Sequence, residues 1–540
     1  MATRSYLKRA EIGSTHPHLF SRIRSTIETA FYRNNVIRIE SLEEAYQLAK
    51  HSPGTIITDL PVYRSEELGL PVDAKVLIFN DGIITGRQAQ ARRLINKDNV
   101  DDYAKILRDA IYESRYRTMY HATTVIGLDK DFSVKAHLLI PEGFENTLYS
   151  WMLNFQNLTD EVIEMYKESR RFDEGDIYLY SDPDFFVDGF EEGLSLFERE
   201  TNCAALLGLR YFGEHKKASL TMAWSIAGRN GFTACHGGQK RFNLKDKPYI
   251  MGVFGLSGSG KSTITHSKHQ GKYDITVLHD DAFVISDRDT SSVSLEPSYF
   301  DKVQDYPTSS PDNDYLLTIQ NVGATLDDQG LVVPVTEDIR CGNGRAMKSK
   351  FWTENRLYKF KEKVNAIFWI MKDDTLPPLL KINGSDLAST LGATLATKRS
   401  SAEHGADPTK LAIIPYANPF RLYPLSQDYF KFKDLFEKHN VDCFVINTGH
   451  FLDKKIPPSV TLGAIESIIE GTIEYQPFGL LKNTEYAVIE GFKPDFSNPD
   501  YSELFTKRMH HRINFLKNLD DENRLPDEAF DSILSRLKNS

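Results

Sequence analysis

The run Gly255-Leu256-Ser257-Gly258-Ser259-Gly260-Lys261-Ser262, followed by Thr263, fits the pattern GxxxxGK[ST] in full. Glycines at this spacing let successive backbone N–H groups face one anion. The lysine can then reach outer phosphates, and the hydroxyl after it can reach a divalent cation. The flanks agree: the strand-like YIMGVF comes before, and STITHSKH opens a helix whose N-terminus adds partial positive charge. A Gly/Ser-rich surface loop is the duller reading, and it leaves the strand and the full pattern unexplained. About twenty residues past Lys261, ITVLHDD ends in Asp280 and Asp281. At least one of these carboxylates can serve Mg²⁺ or Mn²⁺, which prefer oxygen ligands. Without the loop they would read as an exposed acidic turn. Upstream, YFGEHKK ends at Lys217, 19 residues before His236. Taken singly, a Lys-Lys pair is a solvated edge, and a histidine beside Cys235 and two glycines is a buried, hydrogen-bonded side chain. Arg87, Lys302 and Arg345 likewise read singly as loop charges.

These groups need elements to hold them. Residues 18–50 read as helix, with apolar periodicity in LFSRIRSTIETAF and a capping-box spacing of Ser41 and Glu44 in SLEEAYQLAK. KVLIFNDGIITGR predicts two short strands about Asn80-Asp81-Gly82, and DDYAKILRDAIYESRYRTMY predicts a helix. From Tyr249 the texture changes. YIMGVF, ITVLHDD, AIFWIM, LAIIPYA and DCFVIN are the apolar runs expected of strands buried on both faces. The tail LPDEAFDSILSRLKN is an amphipathic helix that docks structurally. The boundary is placed near residue 235, giving domains 1–235 and 236–540.

Composition narrows the function classes. A chain of 540 residues, 41% of them hydrophobic, can fill two large cores. A net charge of -10 and a pI near 5.9 argue against nucleic acid or an anionic membrane as partner. Cys203, Cys235, Cys341 and Cys443 lack CxxC spacing, which speaks against a zinc site or disulfide framework and suits a reducing cytoplasm. No apolar signal core opens the chain, and no run is long enough to span a bilayer.

The motifs around the loop narrow the choice further. GLSGSGKST resembles the GLSGTGKTT loop of ATP-dependent phosphoenolpyruvate carboxykinase. YFGEHKK (211–217) is similar to that family's YxGEMKK, and GIITGR (82–87) to its GIYTGR turn. LEPSYFDK (295–302), GNGR (342–345), LPP (376–378), NPF (418–420) and VINTGH (445–450) follow in the family's order. The chain departs where TGRSPKDK reads TGRQAQAR, where LENV reads IQNV with Gln320, and where GKRIS reads DKKIP with Lys455.

The resemblance implies an α/β protein of two lobes: a mixed α/β N-terminal substrate domain and a C-terminal P-loop mononucleotide-binding domain, with the site between them. It implies conversion of oxaloacetate and ATP to phosphoenolpyruvate, CO₂ and ADP with Mn²⁺ and Mg²⁺. Arg87 and Tyr211 would grip the substrate carboxylate end, as a guanidinium fork matches a carboxylate. Lys217, as a neutral amine, and His236 would hold Mn²⁺ with an Asp280 or Asp281 carboxylate. Lys261, Ser262 and Mg²⁺ would hold the triphosphate, Ser257 would complete the shell, and Lys302 and Arg345 would neutralise the transferred group. The nucleotide set would extend over residues 255–263 to Lys302, Lys455 and Thr461. Two other readings stay open: a P-loop kinase of another small carboxylate, motivated by TGRQAQAR and Lys455, and an inactive ATP-binding regulator. A nucleic-acid ATPase is disfavoured by the acidic balance.

Overall fold

The computed structural model describes residues 1–12, 19–80, 91–256, 258–303, 307–337, 343–398 and 411–538. Contacts divide the chain into two compact units. One gathers Met1–Ile226 and Leu295–Glu354; the other gathers Ala227–Ser294, Asn355–Ser400 and Ala406–Ser540. Both mix helices and sheets. A single cut near residue 235 does not describe this division, because the chain returns to the first unit at Leu295. The reason is backbone pairing. Strands Tyr299–Lys302, Leu316–Gln320 and Arg345–Lys348 join Lys75–Phe79 and Thr55–Pro61 in one five-stranded sheet, with Thr318 beside Leu77 and Gln320 beside Phe79.

The main sheet of the first unit runs, in spatial order, Val36–Ile39, Met119–Asp129, Phe132–Pro141, Ile177–Asp182, Cys203–Leu207, Leu194–Glu198 and Arg92–Leu94. Helices Arg22–Phe31 and Val100–Glu113 bury Ile23, Ile27, Leu107 and Ile111 against its Leu139, Tyr178 and Leu196. The helix expected across 18–50 is broken by Val36–Ile39. Asn35 donates Nδ2–H to the carbonyls of Ser114 and Arg117, and the β-branched pair after it joins Met119–Ala122 in parallel. Helix resumes at Leu42–Ala49, with the Ser41 hydroxyl accepting from Glu44 N–H at 3.1 Å, as the capping spacing predicts. The next helix ends at Glu113, and the RTMY expected to continue it enters the strand Met119–Asp129.

In the second unit an eight-stranded sheet carries a parallel centre of Tyr249–Phe254, Ala366–Met371 and Asp442–Asn447. Phe254, Ile367 and Trp369 point into one apolar cluster, while Val253, Phe368 and Ile370 point into the other. Burial on both faces explains why these strands read as continuous apolar runs. LAIIPYA behaves differently. Leu411–Ile413 forms a half-buried hairpin with Ala396–Lys398, and Tyr416 beyond it stacks on Phe432 with ring centres 4.7 Å apart. The tail helix Asp527–Leu534 docks through Ala529 and Ile533. No helix among the described residues is long and apolar enough to cross a membrane.

A polar network ties the chain start to the first sheet. Thr3 Oγ1 donates to Asp176 Oδ1 at 2.5 Å, His137 Nε2 meets Asp176 Oδ2 at 3.1 Å, and His121 Nε2 meets His137 Nδ1 at 3.1 Å. Burial, with His137 and Arg38 nearby, pushes the His121 imidazole down to about 3. The unfolded chain, with His121 near its ordinary 6.5, therefore binds more protons than the folded one below that pH. Stability is full above 6.5 and falls as pH drops towards 3, by up to about 1.4 kcal/mol per pH unit for one proton. Urea midpoints measured across this window should show that slope in the native protein and a flatter one in His121→Gln.

Candidate active site

The glycine-rich loop leaves the buried strand Tyr249–Phe254 and enters the helix Lys261–His266. Gly260 takes φ +97°, a conformation that side chains disfavour. At Gly255 an added Cβ would lie 2.3 Å from Ser259 Oγ and 3.0 Å from Ile370, so only glycine fits the close approach. Two side chains fasten the loop backbone. Lys372 Nζ donates to Gly258 O and Thr448 Oγ1 donates to Ser259 O, each at 2.7 Å. Neither was marked by the motif pattern, although Thr448 lies in VINTGH. Ser257 lies outside the described residues. Leu256 is buried, Ser262 is half-buried and Thr263 is exposed.

Lys261 is buried, and its Nζ lies 3.2 Å from Asp281 Oδ1. The same oxygen lies 3.0 Å from His236 Nε2. Register accounts for this meeting: strands Phe232–His236 and Ala282–Ser286 are antiparallel with His236 opposite Ala282, which brings Asp281 alongside. His279 Nδ1 accepts from the N–H groups of Asp281 and Ala282, fixing the turn. His236 donates Nδ1–H to Ala417 O at 2.5 Å, which fixes the ring with Nε2 towards the carboxylate. An imidazole nitrogen and a carboxylate oxygen placed together are donor types that could hold a divalent cation. Asp280 turns elsewhere, to His266 Nε2 at 3.4 Å. Burial opposes its charge, but His266, His279 and Lys261 hold the carboxyl below its usual range.

In the first unit, Tyr211 precedes the helix Phe212–Arg229, and Arg345 Nε donates to its hydroxyl at 3.2 Å with both side chains buried. Strand register sets Lys302 beside Arg345 and Arg345 beside Gln320, so the three side chains share one face of the five-stranded sheet. Like charges side by side are unfavourable, and an anion laid along the row would relieve them. Asn321 Nδ2 fixes the approach to Arg345 by donating to Asn343 O at 3.0 Å. Gln320 also lines a cavity of about 230 Å³ with Phe79, Asn80, Arg210 and Asn321. Arg87 lies outside the described residues.

Within YFGEHKK the side chains divide by role. His215 is buried against Ser181 Oγ at 2.8 Å, and Lys216 forms a buried ion pair with Glu296 at 3.0 Å, where Asn154 also donates. Lys217 is half-buried, with its Nζ 5.9 Å from the Trp224 ring centre. Lys455 is exposed on a short hairpin strand, and the Thr461 hydroxyl donates to Pro458 O inside its own helix. The described residues hold no group of three or more His, Cys, Asp or Glu placed to bind a metal. A set built on His236 and Asp281 therefore needs a donor of another type.

A glycine turn between a buried strand and a helix, a lysine anchored on a carboxylate and a row of cations have the chemistry of an α/β enzyme that handles phosphates and carboxylates. The chain belongs to the ATP-dependent phosphoenolpyruvate carboxykinase family, whose model, described as phosphoenolpyruvate carboxykinase, matches residues 62–492. It is 22% identical over 373 residues to phosphoenolpyruvate carboxykinase (ATP) of Aeropyrum pernix, covering 63% of this chain and 72% of that protein. The glycosomal phosphoenolpyruvate carboxykinase (ATP) of Trypanosoma brucei brucei is 20% identical over 443 residues, 76% of this chain and 90% of that one. That of Campylobacter jejuni is 22% identical over 504 residues, covering 84% and 91%.

The neighbouring lysines should separate in a stability measurement. Lys216→Met strands the buried Glu296 charge and should lower the unfolding free energy by about 3–5 kcal/mol in urea titration. Lys217→Met should change it by less than about 1 kcal/mol.

Proposed function

We propose that the chain converts oxaloacetate and ATP to phosphoenolpyruvate, CO₂ and ADP. One observation carries this reading: the family match runs through residues 62–492, which contain both clusters described above. The glycine-rich loop is read as a P-loop in a nucleotide-binding domain. Its N–H groups and Lys261 would bind the triphosphate, with Ser262 at the Mg²⁺ that accompanies it. Arg87 and Tyr211 would hold the substrate carboxylate end, and the Arg345 hydrogen bond would fix the Tyr211 hydroxyl.

Breaking the C–C bond releases CO₂ and leaves its electron pair in an enolate. The enolate oxygen then attacks the γ-phosphorus and expels ADP. Lys302 and Arg345, side by side on the sheet, would take up the charge of the transferred group. His236, Asp281 and a neutral Lys217 would hold Mn²⁺, with Asp280 as the neighbouring carboxylate. Bound there, the metal supplies Lewis acidity towards the enolate oxygen. Asp281 also keeps Lys261 in place, so a single carboxylate serves both halves of the chemistry. Lys455 and Thr461 are read as the nucleotide's outer contacts. Buried Cys203, Cys235 and Cys443, all free thiols, support a reducing cytoplasm.

The test is direct. Purified protein with oxaloacetate, ATP, Mg²⁺ and Mn²⁺ should release phosphoenolpyruvate and ADP together, and Lys217→Ala and Lys261→Ala should each lose at least about a thousandfold in kcat/KM. ATP binding without phosphoenolpyruvate would sink the reading and favour a kinase of another carboxylate or a regulator.

A further inference from the structure

Lys240 sits in the middle of the strand Gly238–Phe242 with no exposed surface. A buried ammonium needs full hydrogen bonding, and here its partners belong to one feature. Nζ donates to Ile264 O at 2.6 Å and to Ser267 O at 3.4 Å, the carbonyls at the C-terminal end of the helix that follows the glycine-rich loop. Its third partner is His269 Nε2 at 2.9 Å. The other ring nitrogen, Nδ1, donates to Glu466 Oε1 at 2.9 Å on the helix Pro458–Glu470.

The chain distorts to make this contact. His269 and Gln270 take φ of +49° and +57°, a region that costs a non-glycine residue about 1–2 kcal/mol. Burial pushes the Lys240 amine down to about 7, with Glu466 working against that shift. Lys272, exposed, also reaches Glu466 at 3.3 Å, outside the chain of buried contacts.

We propose that Lys240, His269 and Glu466 form a relay that sets the position of the glycine-loop helix against the helix Pro458–Glu470, making Lys240 a positioning residue for the nucleotide phosphates. The inference rests on the P-loop reading above. A helix of six residues has little rigidity of its own, so its N-terminal Lys261 is held only as firmly as its other end. Lys240 grips that end from the strand alongside, and Glu466 orients the imidazole that completes the grip. The hydrogen bonds described for the three fall at Ile264, Ser267 and the helix Pro458–Glu470, beyond the glycine-rich loop itself. Their loss therefore acts on nucleotide affinity and leaves the oxaloacetate half alone.

The experiment compares full-length wild type with Lys240→Met, Glu466→Gln, Glu466→Asp and Lys272→Met, by Mg·ATP titration calorimetry and steady-state kinetics. Lys240→Met and Glu466→Gln should raise the Kd and KM for ATP at least fivefold with the KM for oxaloacetate within twofold. Glu466→Asp, which keeps the charge, should stay within threefold of wild type, and Lys272→Met should match it. Unchanged ATP affinity in Glu466→Gln overturns the relay, as does a parallel loss of every parameter with a falling Tm. Should Lys240→Met fail to fold, Glu466→Gln decides alone. Wild type that binds Mg·ATP but makes no phosphoenolpyruvate refutes the functional reading, and the relay is then judged on Kd. Wild type that binds no ATP refutes both.

Discussion

One carboxylate, that of Asp281, organises the cationic chemistry of the second unit. Lys261 and His236 both lie within 3.2 Å of it, and each comes from a different element. Sheet topology makes the meeting unavoidable. Gly238–Phe242 runs antiparallel to both Tyr249–Phe254 and Ile275–His279, so those two strands are parallel and end at the same edge. The glycine-rich loop and the aspartate pair leave the sheet together there, where open α/β sheets place ligands. Antiparallel pairing of Phe232–His236 with Ala282–Ser286 then supplies the histidine. Three separate stretches of sequence converge through backbone hydrogen bonding alone.

Features governed by local chemistry were legible in the sequence. The glycine pattern, the Ser41 cap, the doubly buried central strands and the docked tail helix each follow from a few neighbouring residues. Features decided by distant partners were not. Nothing in LEPSYFDK or TIQNV announces that these strands share a sheet with one from far earlier in the chain, although the register of Thr318 beside Leu77 settles the first unit. The break at Val36–Ile39 needed a neighbour at Met119, and LAIIPYA resembled a core strand because Tyr416 is core while Leu411–Ile413 is not. Composition left Asp280 and Asp281 equivalent, and register sets Asp281 beside His236 and Lys261 while Asp280 lies by His266. Lys240 was missed because GQKRF reads as a polar stretch, a lysine is rarely fully buried, and no motif flags it.

The five-stranded sheet shows the opposite bargain from a hydrophobic core. Lys302 and Arg345 are placed as cross-strand neighbours, and Gln320 continues the row without a compensating charge. A sheet selected only for stability would put opposite charges there. On the next register position Asp301 pairs with Lys348 at 3.1 Å. Lys216 of the same unit forms a buried ion pair with Glu296, whereas Lys217 beside it is half-buried near Trp224, so adjacent lysines in one motif sit in different surroundings.

The return of Leu295–Glu354 to the first unit carries a consequence for how the protein is made. A ribosome emits residues in order, so Lys75–Phe79 emerges long before the strand Leu316–Gln320 that pairs with it. At about 5–20 residues per second, that edge waits on the order of ten seconds or more with its hydrogen-bonding groups unmatched. Meanwhile the segment Ala227–Ser294 of the second unit emerges, and its sheet in turn awaits Ala366–Met371. The first unit therefore completes its five-stranded sheet only after Ala227–Ser294 of the second unit has been made, and an open strand edge is exposed in the interval.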